Sequence, residues 1–239
     1  MPSVAAAEIA RMRESVFFEG PELGRRLSRF WILLVLAAII AAAGVVGDST
    51  ATVIGAMIVA PLMLPIQATM LSVVLADRVN LMRSLALVVA GASTAILIGW
   101  LMGFVVVGDV VAATNSQVAA RVSPRLIDLL AALATGVVGS VALARRDISD
   151  TLPGVAIAIS LVPPLSVVGL TLNAGEYSQA GGAMLLFLTN VAAILLTGTV
   201  VMAIYGVHRL TAPDVPSAIK AVDRRKAIVV IVAMLVLVG

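Results

Sequence analysis

Long apolar runs constrain this chain more than any other feature of its sequence. Six consecutive runs rich in Ala, Leu, Val, Ile and Gly cover roughly residues 30–47, 50–75, 82–107, 124–144, 152–172 and 182–206. Each approaches the ~20 residues that cross the hydrocarbon core of a bilayer. A seventh run, 227–239, is too short for a span and is interpreted as part of a helix. The runs lack the period-two alternation of barrel strands, so the predicted fold is an all-α integral membrane protein with six to seven transmembrane helices.

Composition narrows the functional classes further. Hydrophobic residues make up 61% of the 239 residues and charged residues 12%, whereas soluble domains carry about 25% charged residues. The chain has no cysteine and a single histidine, His208, so a Cys-ligated metal is excluded and no cofactor is expected. Basic residues lie between the spans, which indicates membrane topology rather than nucleic-acid binding. The lipid bilayer is therefore the expected partner, and nucleic acid is not.

The distribution of basic residues predicts the orientation. With the N-terminus in the cytoplasm, 14 of the 16 Lys and Arg residues fall on the cytoplasmic side, and only Arg121 and Arg125 fall outside. The predicted parts are a cytoplasmic arm (1–29), a first transmembrane unit (30–107), an extracytoplasmic linker (108–123), a second transmembrane unit (124–206), and a cytoplasmic segment with a partial helix (207–239). Ile9, Met12 and Val16 recur at helical spacing in the arm, which suits an interfacial helix or a solvated arm ended by Gly20-Pro21.

Similar residues recur in the two transmembrane units. Leu71-Ser-Val-Val resembles Leu165-Ser-Val-Val, and Ala95-Ile-Leu resembles Ala193-Ile-Leu, in the same order. Gly44-Val-Val-Gly likewise resembles Gly136-Val-Val-Gly. A unit of three helices is odd in number, so a second copy enters the membrane upside down. The sequence therefore predicts two inverted three-helix repeats, an arrangement known in many transporters.

Paired prolines interrupt the second and fifth apolar runs. Pro61 and Pro65 lie within the second run, and Pro163 and Pro164 within the fifth. Proline removes a backbone hydrogen bond and disfavours a continuous helix. Matching interruptions point to a binding site near the middle of the membrane, although proline kinks that bind nothing are also common.

Few polar residues lie near these interruptions. The candidate ligands for a solute or ion are Gln67, Ser160 and Asn190, together with the four prolines. An unpaired amide in lipid is costly, but Gln67 and Asn190 could also bond across helices in a purely structural role. A serine in a membrane helix usually bonds its own backbone.

Asp48, Ser49 and Thr50 join the first two runs on the predicted outer face. One interpretation makes Asp48 the N-cap of the following helix, with Ser49 as the alternative. The other makes the three residues the entrance of a pathway that attracts cations.

The stretch Gly55-Ala-Met-Ile-Val-Ala-Pro-Leu-Met-Leu-Pro-Ile resembles a motif of the DUF389 family of prokaryotic membrane proteins, and Val162-Pro-Pro-Leu resembles its second half. The resemblance implies a multi-pass protein of a prokaryotic plasma (inner) membrane and implies no activity.

Function is therefore predicted from the residues themselves. Apart from Asp128, every acid lies at or beyond a helix end, which disfavours a proton antiporter. Because no catalytic constellation is evident, the chain is not expected to be an enzyme. The favoured hypothesis is a transporter or channel for a small polar solute or ion, and the sequence does not indicate which metal such an ion would be. The alternative is a non-transporting scaffold or regulatory subunit. Abundant small residues favour close helix contacts, and a homo-oligomer is expected.

Overall fold

The computed structural model describes residues 2–144, 161–205 and 207, and every regular element within them is a helix. His208, Ser160 and the predicted partial helix 227–239 lie outside these residues. In chain order the helices are α1 (Pro2–Val16), α2 (Leu23–Val46), α3 (Thr50–Val59), α4 (Met63–Val74), α5 (Arg78–Gly103), α6 (Ser116–Ala119), α7 (Leu126–Ala144), α8 (Val162–Asn173) and α9 (Tyr177–Ile204).

Four of the described helices, α2, α5, α7 and α9, are long and apolar enough to cross a membrane. Helices α3 and α4 meet at 47° and would make a fifth span if the bent pair crosses as one unit. Helix α8 is a shorter apolar helix, and the first part of its predicted span lies outside the described residues. The described part of the chain therefore contains four or five candidate spans, fewer than the six to seven predicted for the whole chain.

Large apolar side chains cover the outer surface of the helices. On α5, Met82, Val89 and Leu97 are 66%, 64% and 53% exposed. Soluble monomers rarely expose contiguous apolar surface of this kind, whereas a bilayer solvates it. Near the end of α5, Trp100 and Phe104 stack edge to face at 4.7 Å, a pairing suited to a membrane interface.

Helix α1 packs against protein rather than extending freely from it. Met12 and Val16 are each 2% exposed and belong to the main hydrophobic core, with Ile9 packed at its edge. Arg13 adds ion pairs to Glu19 at 3.2 Å and to Asp77 at 3.1 Å. The apolar stripe predicted from the sequence is thus buried against the bundle.

The turn between α4 and α5 is fixed by Asp77. Its carboxylate accepts hydrogen bonds from the backbone and the side chain of Asn80 and pairs with Arg13. Burial raises the pKa of Asp77, but the hydrogen bonds from Asn80 and the nearby Arg13 charge outweigh it, and the pKa lies below its ordinary value.

We name this side of the bundle, with Arg11, Arg13, Arg26 and Arg29, the basic end.

The contacts between helices establish their directions. Gly99 and Gly103 of α5 lie against Ser166 and Asn173 of α8, so these two helices run the same way. Helices α7 and α9 also run the same way, because Gly136 contacts Ile194 and Thr197 while Gly198 contacts Ser140.

The two pairs begin at opposite ends of the bundle. Helix α5 starts beside Asp77 at the basic end. Helix α9 starts beside residues 104–125, which we name the connecting loop: Gln179 accepts a hydrogen bond from the backbone of Ala112, and Gly182 lies against Val122. We name this side of the bundle the loop end. The α5 and α8 pair therefore runs towards the loop end, and the α7 and α9 pair runs towards the basic end.

The turns after α4 and α8 have the same hydrogen-bond pattern. Ala76 donates to Val73 and Asp77 to Ser72, and in the second turn Gly175 donates to Leu172 and Glu176 to Thr171. Ala76 and Gly175 both have positive φ, 55° and 76°, as the left-handed residue after a helix requires. By this correspondence Pro65 pairs with Pro164 and Leu71 with Leu170. The sequence comparison paired Leu71 with Leu165, which is a different register.

Candidate functional site

The interruption of the second apolar run lies between Val59 and Met63. Ala60 is extended, with φ −65° and ψ 124°, because the ring of Pro61 disfavours helical geometry in the residue before it. Pro61 has no N–H to donate to Met57, and no hydrogen bond among the described residues reaches the carbonyls of Ile58 or Val59. Within the described part of the chain, these backbone acceptors are therefore unpaired at a position between two apolar half-helices.

The other three prolines lie in the first turn of a described helix. Pro65 is the third residue of α4, and Pro163 and Pro164 are the second and third residues of α8. The first turn of a helix has no intrahelical partner for its N–H groups, so proline is tolerated there. All three prolines are buried. The predicted interruption of the second run is therefore observed between α3 and α4, whereas the segment ahead of Pro163-Pro164 lies outside the described residues.

A cleft of about 390 Å³ opens beside the break. Pro61, Val59 and Leu64 line it from the two half-helices, and Ser15 and the first half of α2 supply the rest of its wall; the residues from α2 are Arg26, Arg29, Phe30 and Leu33. Arg29 and Ser15 are exposed, which makes the cleft accessible from the basic end. Its size falls within the 300–1,000 Å³ typical of small-molecule sites.

The two arginines were assigned by the sequence analysis to topology alone. Arg26 donates one hydrogen bond to the carbonyl of Phe17 at 2.8 Å, which orients its guanidinium. Arg29 makes no hydrogen bond or ion pair with the described residues. The spacing of three residues places both side chains on one face of α2, and this spacing was the signal available in the sequence.

The amide candidates do not line this cleft. Gln67 is half-buried and donates from Nε2 to the carbonyl of Gly139 in α7 at 3.2 Å. Asn190 is 5% exposed within α9, and its Oδ1 has no hydrogen-bond partner in the described part of the chain. Of the sequence-predicted site residues that the structure describes, only Pro61 lies in the cleft wall, while Pro65, Pro163 and Pro164 lie in the packed core.

One buried polar group was missed by the sequence analysis. Ser166 is fully buried in α8, its hydroxyl has no described partner, and its backbone lies against Gly99. Ser72 of α4, by contrast, donates to the carbonyl of Ala68 at 2.7 Å, as serine in a helix usually does. Nothing in the sequence separates these two serines, because each follows a leucine in the same Leu-Ser-Val-Val motif.

Two of the three predicted entrance residues, Asp48 and Thr50, hold the connecting loop, and Ser49 caps a helix. Ser49 is the N-cap of α3 and accepts from the backbone of Thr52 at 3.3 Å, so the interpretation of Asp48 as the cap is wrong. The carboxylate of Asp48 instead accepts from Ser116 Oγ at 2.7 Å and from the backbone of Gln117 at 3.0 Å.

Two further hydrogen bonds hold the same loop. Thr50 accepts from Gln117 Nε2 at 2.9 Å, and Asn115 Nδ2 donates to the carbonyl of Val45 at 2.7 Å. The hydrogen bonds from Ser116 and from the Gln117 backbone also hold the pKa of Asp48 below its ordinary value. These groups therefore fasten the loop to the α2–α3 connection.

No group of three or more His, Asp and Glu side chains able to hold a metal comes together in the ranges 2–144 and 161–205 or at 207. The polar atoms around the break are backbone carbonyls, and the charged groups of the cleft are guanidiniums. The basic wall suits an anion, whereas the carbonyls suit a hydrogen-bond donor or a hard cation.

Helices of spanning length, apolar outer faces and a break within an apolar segment define a helical membrane protein. The family model described as "Domain of unknown function (DUF389)" matches residues 57–196, which run from α3 across the break to α9. An uncharacterized protein of Methanocaldococcus jannaschii is 32% identical over 196 residues, which is 82% of this chain. The chain belongs to the DUF389 family.

The chain spans about 60% of the length of this archaeal relative. No solved structure matches the chain.

Proposed function

We propose that the protein is a transporter or channel for a small polar solute or ion, with its site at the broken second span. The observation that carries the proposal is the break at Ala60-Pro61-Leu62, where unpaired backbone groups lie beside a cleft accessible from the basic end. Unwound backbone inside a membrane is tolerated where it lines a cavity, and broken helices commonly form the binding sites of carriers.

The packing of the helices supports two inverted three-helix repeats. Helix α4 packs on α5 as α8 packs on α9, and α5 packs on α8 as α9 packs on α4. The register of the matching turns pairs Gly99 with Gly198. Gly99 lies where α5 crosses α8, and Gly198 lies where α9 crosses α4. With α8 as part of a further span, the proposed repeats account for six of the six or seven spans inferred from the full sequence.

The same arrangement supports the proposed orientation. Arg11, Arg13, Arg26 and Arg29 gather at the basic end, and Arg121 and Arg125 lie at the loop end. By the positive-inside rule this distribution favours a cytoplasmic basic end and N-terminus, with the spans in a prokaryotic plasma membrane. A homo-oligomer and the lack of enzymatic activity remain predictions from the sequence.

One observation favours the alternative, a scaffold or regulatory subunit that conducts nothing. The hydrogen bond from Gln67 to Gly139 joins α4 to α7, which is the structural role that an amide takes in a closed helix bundle. A scaffold would keep the break packed on both sides, whereas a carrier must open it towards each face in turn.

Flux through proteoliposomes tests the proposal. We expect the purified full chain to accelerate the uptake of at least one probe from a panel of radiolabelled phosphate, chloride, sodium, rubidium and small polar metabolites. Liposomes without protein give the background. Background flux for every probe, with protein that is folded and monodisperse, would contradict transport and favour the scaffold.

A further inference from the structure

The charges around the cleft are unbalanced in favour of anions. Among the described residues, its wall contains two guanidiniums and no carboxylate. Three nearby acids are engaged elsewhere, because Glu22 pairs with Arg25 and Glu19 and Asp77 pair with Arg13, and Glu14, which precedes Ser15 in α1, is exposed and is not part of the cleft wall. Arg29 is thus left with its charge and its hydrogen-bond donors available within the described part of the protein.

The surroundings of the two arginines strengthen their attraction for an anion. Phe30, Leu33, Val59 and Leu64 form apolar walls around the cleft, so its interior has fewer competing polar groups than open solvent. The bond from Arg26 to the carbonyl of Phe17 fixes one guanidinium in advance, which reduces the ordering cost of binding. Two neighbouring planar guanidiniums match the oxygen geometry of a phosphate group, which can accept several charge-assisted hydrogen bonds at once.

We infer that the cleft between α2 and the broken span binds a phosphate group through Arg26 and Arg29. The phosphate belongs either to a soluble ion or metabolite or to the headgroup of an anionic phospholipid, and both sources present the same oxygens to the arginines. The inference deepens the proposed function by naming the substrate class of its site. Binding is measured separately from flux. A protein that binds phosphate and transports nothing would therefore support this inference and contradict the proposed transport.

Two binding measurements on the full chain test the inference and distinguish the sources. In a maltoside detergent free of phosphate, inorganic phosphate is titrated by calorimetry, with acetate as the comparison anion. In nanodiscs, phosphatidylglycerol is compared with phosphatidylcholine, and the lipids retained by the protein are counted by native mass spectrometry.

The variant Arg29→Gln removes a cleft charge from an exposed side chain, so we expect folding to be retained. Its matched control is Arg25→Gln, because Arg25 lies one turn earlier in α2, is 81% exposed and pairs with Glu22 outside the cleft. We expect Arg29→Gln to weaken phosphate binding, or retention of phosphatidylglycerol, by about ten- to a hundredfold, as loss of a charge-assisted hydrogen bond does. Arg25→Gln should bind as the parent protein does.

Each outcome decides the inference. A selective loss for inorganic phosphate supports a soluble phosphate, and a selective loss for phosphatidylglycerol supports a lipid headgroup. Equal losses in Arg29→Gln and Arg25→Gln, equal affinity for acetate and phosphate, or no binding of either probe would overturn the inference.

Discussion

Gly169→Ala should lower the apparent Tm of the protein in detergent by about 5–10 °C. Gly169 lies where α8 crosses α5, and a Cβ there would meet the carbonyl oxygen of Ile96 and lie 2.5 Å from the backbone nitrogen of Trp100. Backbone atoms of a helix cannot move aside as a flexible side chain can, so the two helices must separate. Overpacking of this kind costs about 2–3 kcal/mol, which for a chain of this length corresponds to the stated shift in Tm.

Gly55→Ala is the matched control for this crossing. Gly55 lies in the apolar helix α3, and a Cβ at this position has no neighbour within 4 Å. Alanine also has a higher helix propensity than glycine, so we expect an unchanged or slightly raised Tm. If Gly169→Ala and Gly55→Ala had the same Tm, α5 and α8 would not cross closely at Gly169.

The second large effect is expected on flux. Pro61→Ala supplies an N–H that can bond to the carbonyl of Met57, and it removes the restriction that keeps Ala60 extended. The α3–α4 segment can then form a continuous helix, because the cost of a proline inside a helix, about 3 kcal/mol, is removed. We expect flux of the transported probe to fall at least about tenfold while the Tm is unchanged or higher.

Pro21→Ala is the control for Pro61→Ala. Pro21 is exposed in the connection between α1 and α2 and takes no part in the break. It should leave flux and the Tm near those of the parent protein. Full flux in Pro61→Ala would count against a transport site at the broken span.

The break could be predicted from the sequence because proline acts locally. Pro61 forces Ala60 out of helical geometry whatever surrounds it. The roles of Pro163 and Pro164 were harder to predict, because the same residue breaks a helix in its interior and begins one at its first turn. Which of the two applies depends on where the preceding segment ends.

Side-chain partners across the bundle could not be predicted from the sequence. The bond from Gln67 to Gly139 depends on the packing of α4 against α7, which no local pattern specifies. Arg26 and Arg29 were overlooked for a different reason: the positive-inside rule already explained them, and a second role leaves no separate trace in charge composition. The sequence left the N-cap open between Asp48 and its alternative Ser49, because both residue types cap helices well and the two are adjacent; the structure has Ser49.

The central claim is that the broken span lines a solute pathway, and the cysteine-free sequence allows a direct test. Leu64→Cys places a thiol in the cleft beside the break, and Ile58→Cys places one on α3 at a position 56% exposed on the apolar surface. Both are treated with a charged, membrane-impermeant thiol reagent, added separately to each face of oriented vesicles. We predict that Leu64→Cys reacts from both faces and that Ile58→Cys, shielded by lipid, reacts from neither. Reaction of Leu64→Cys from one face only, or from neither, would contradict a pathway and identify the cleft as the surface of a closed bundle.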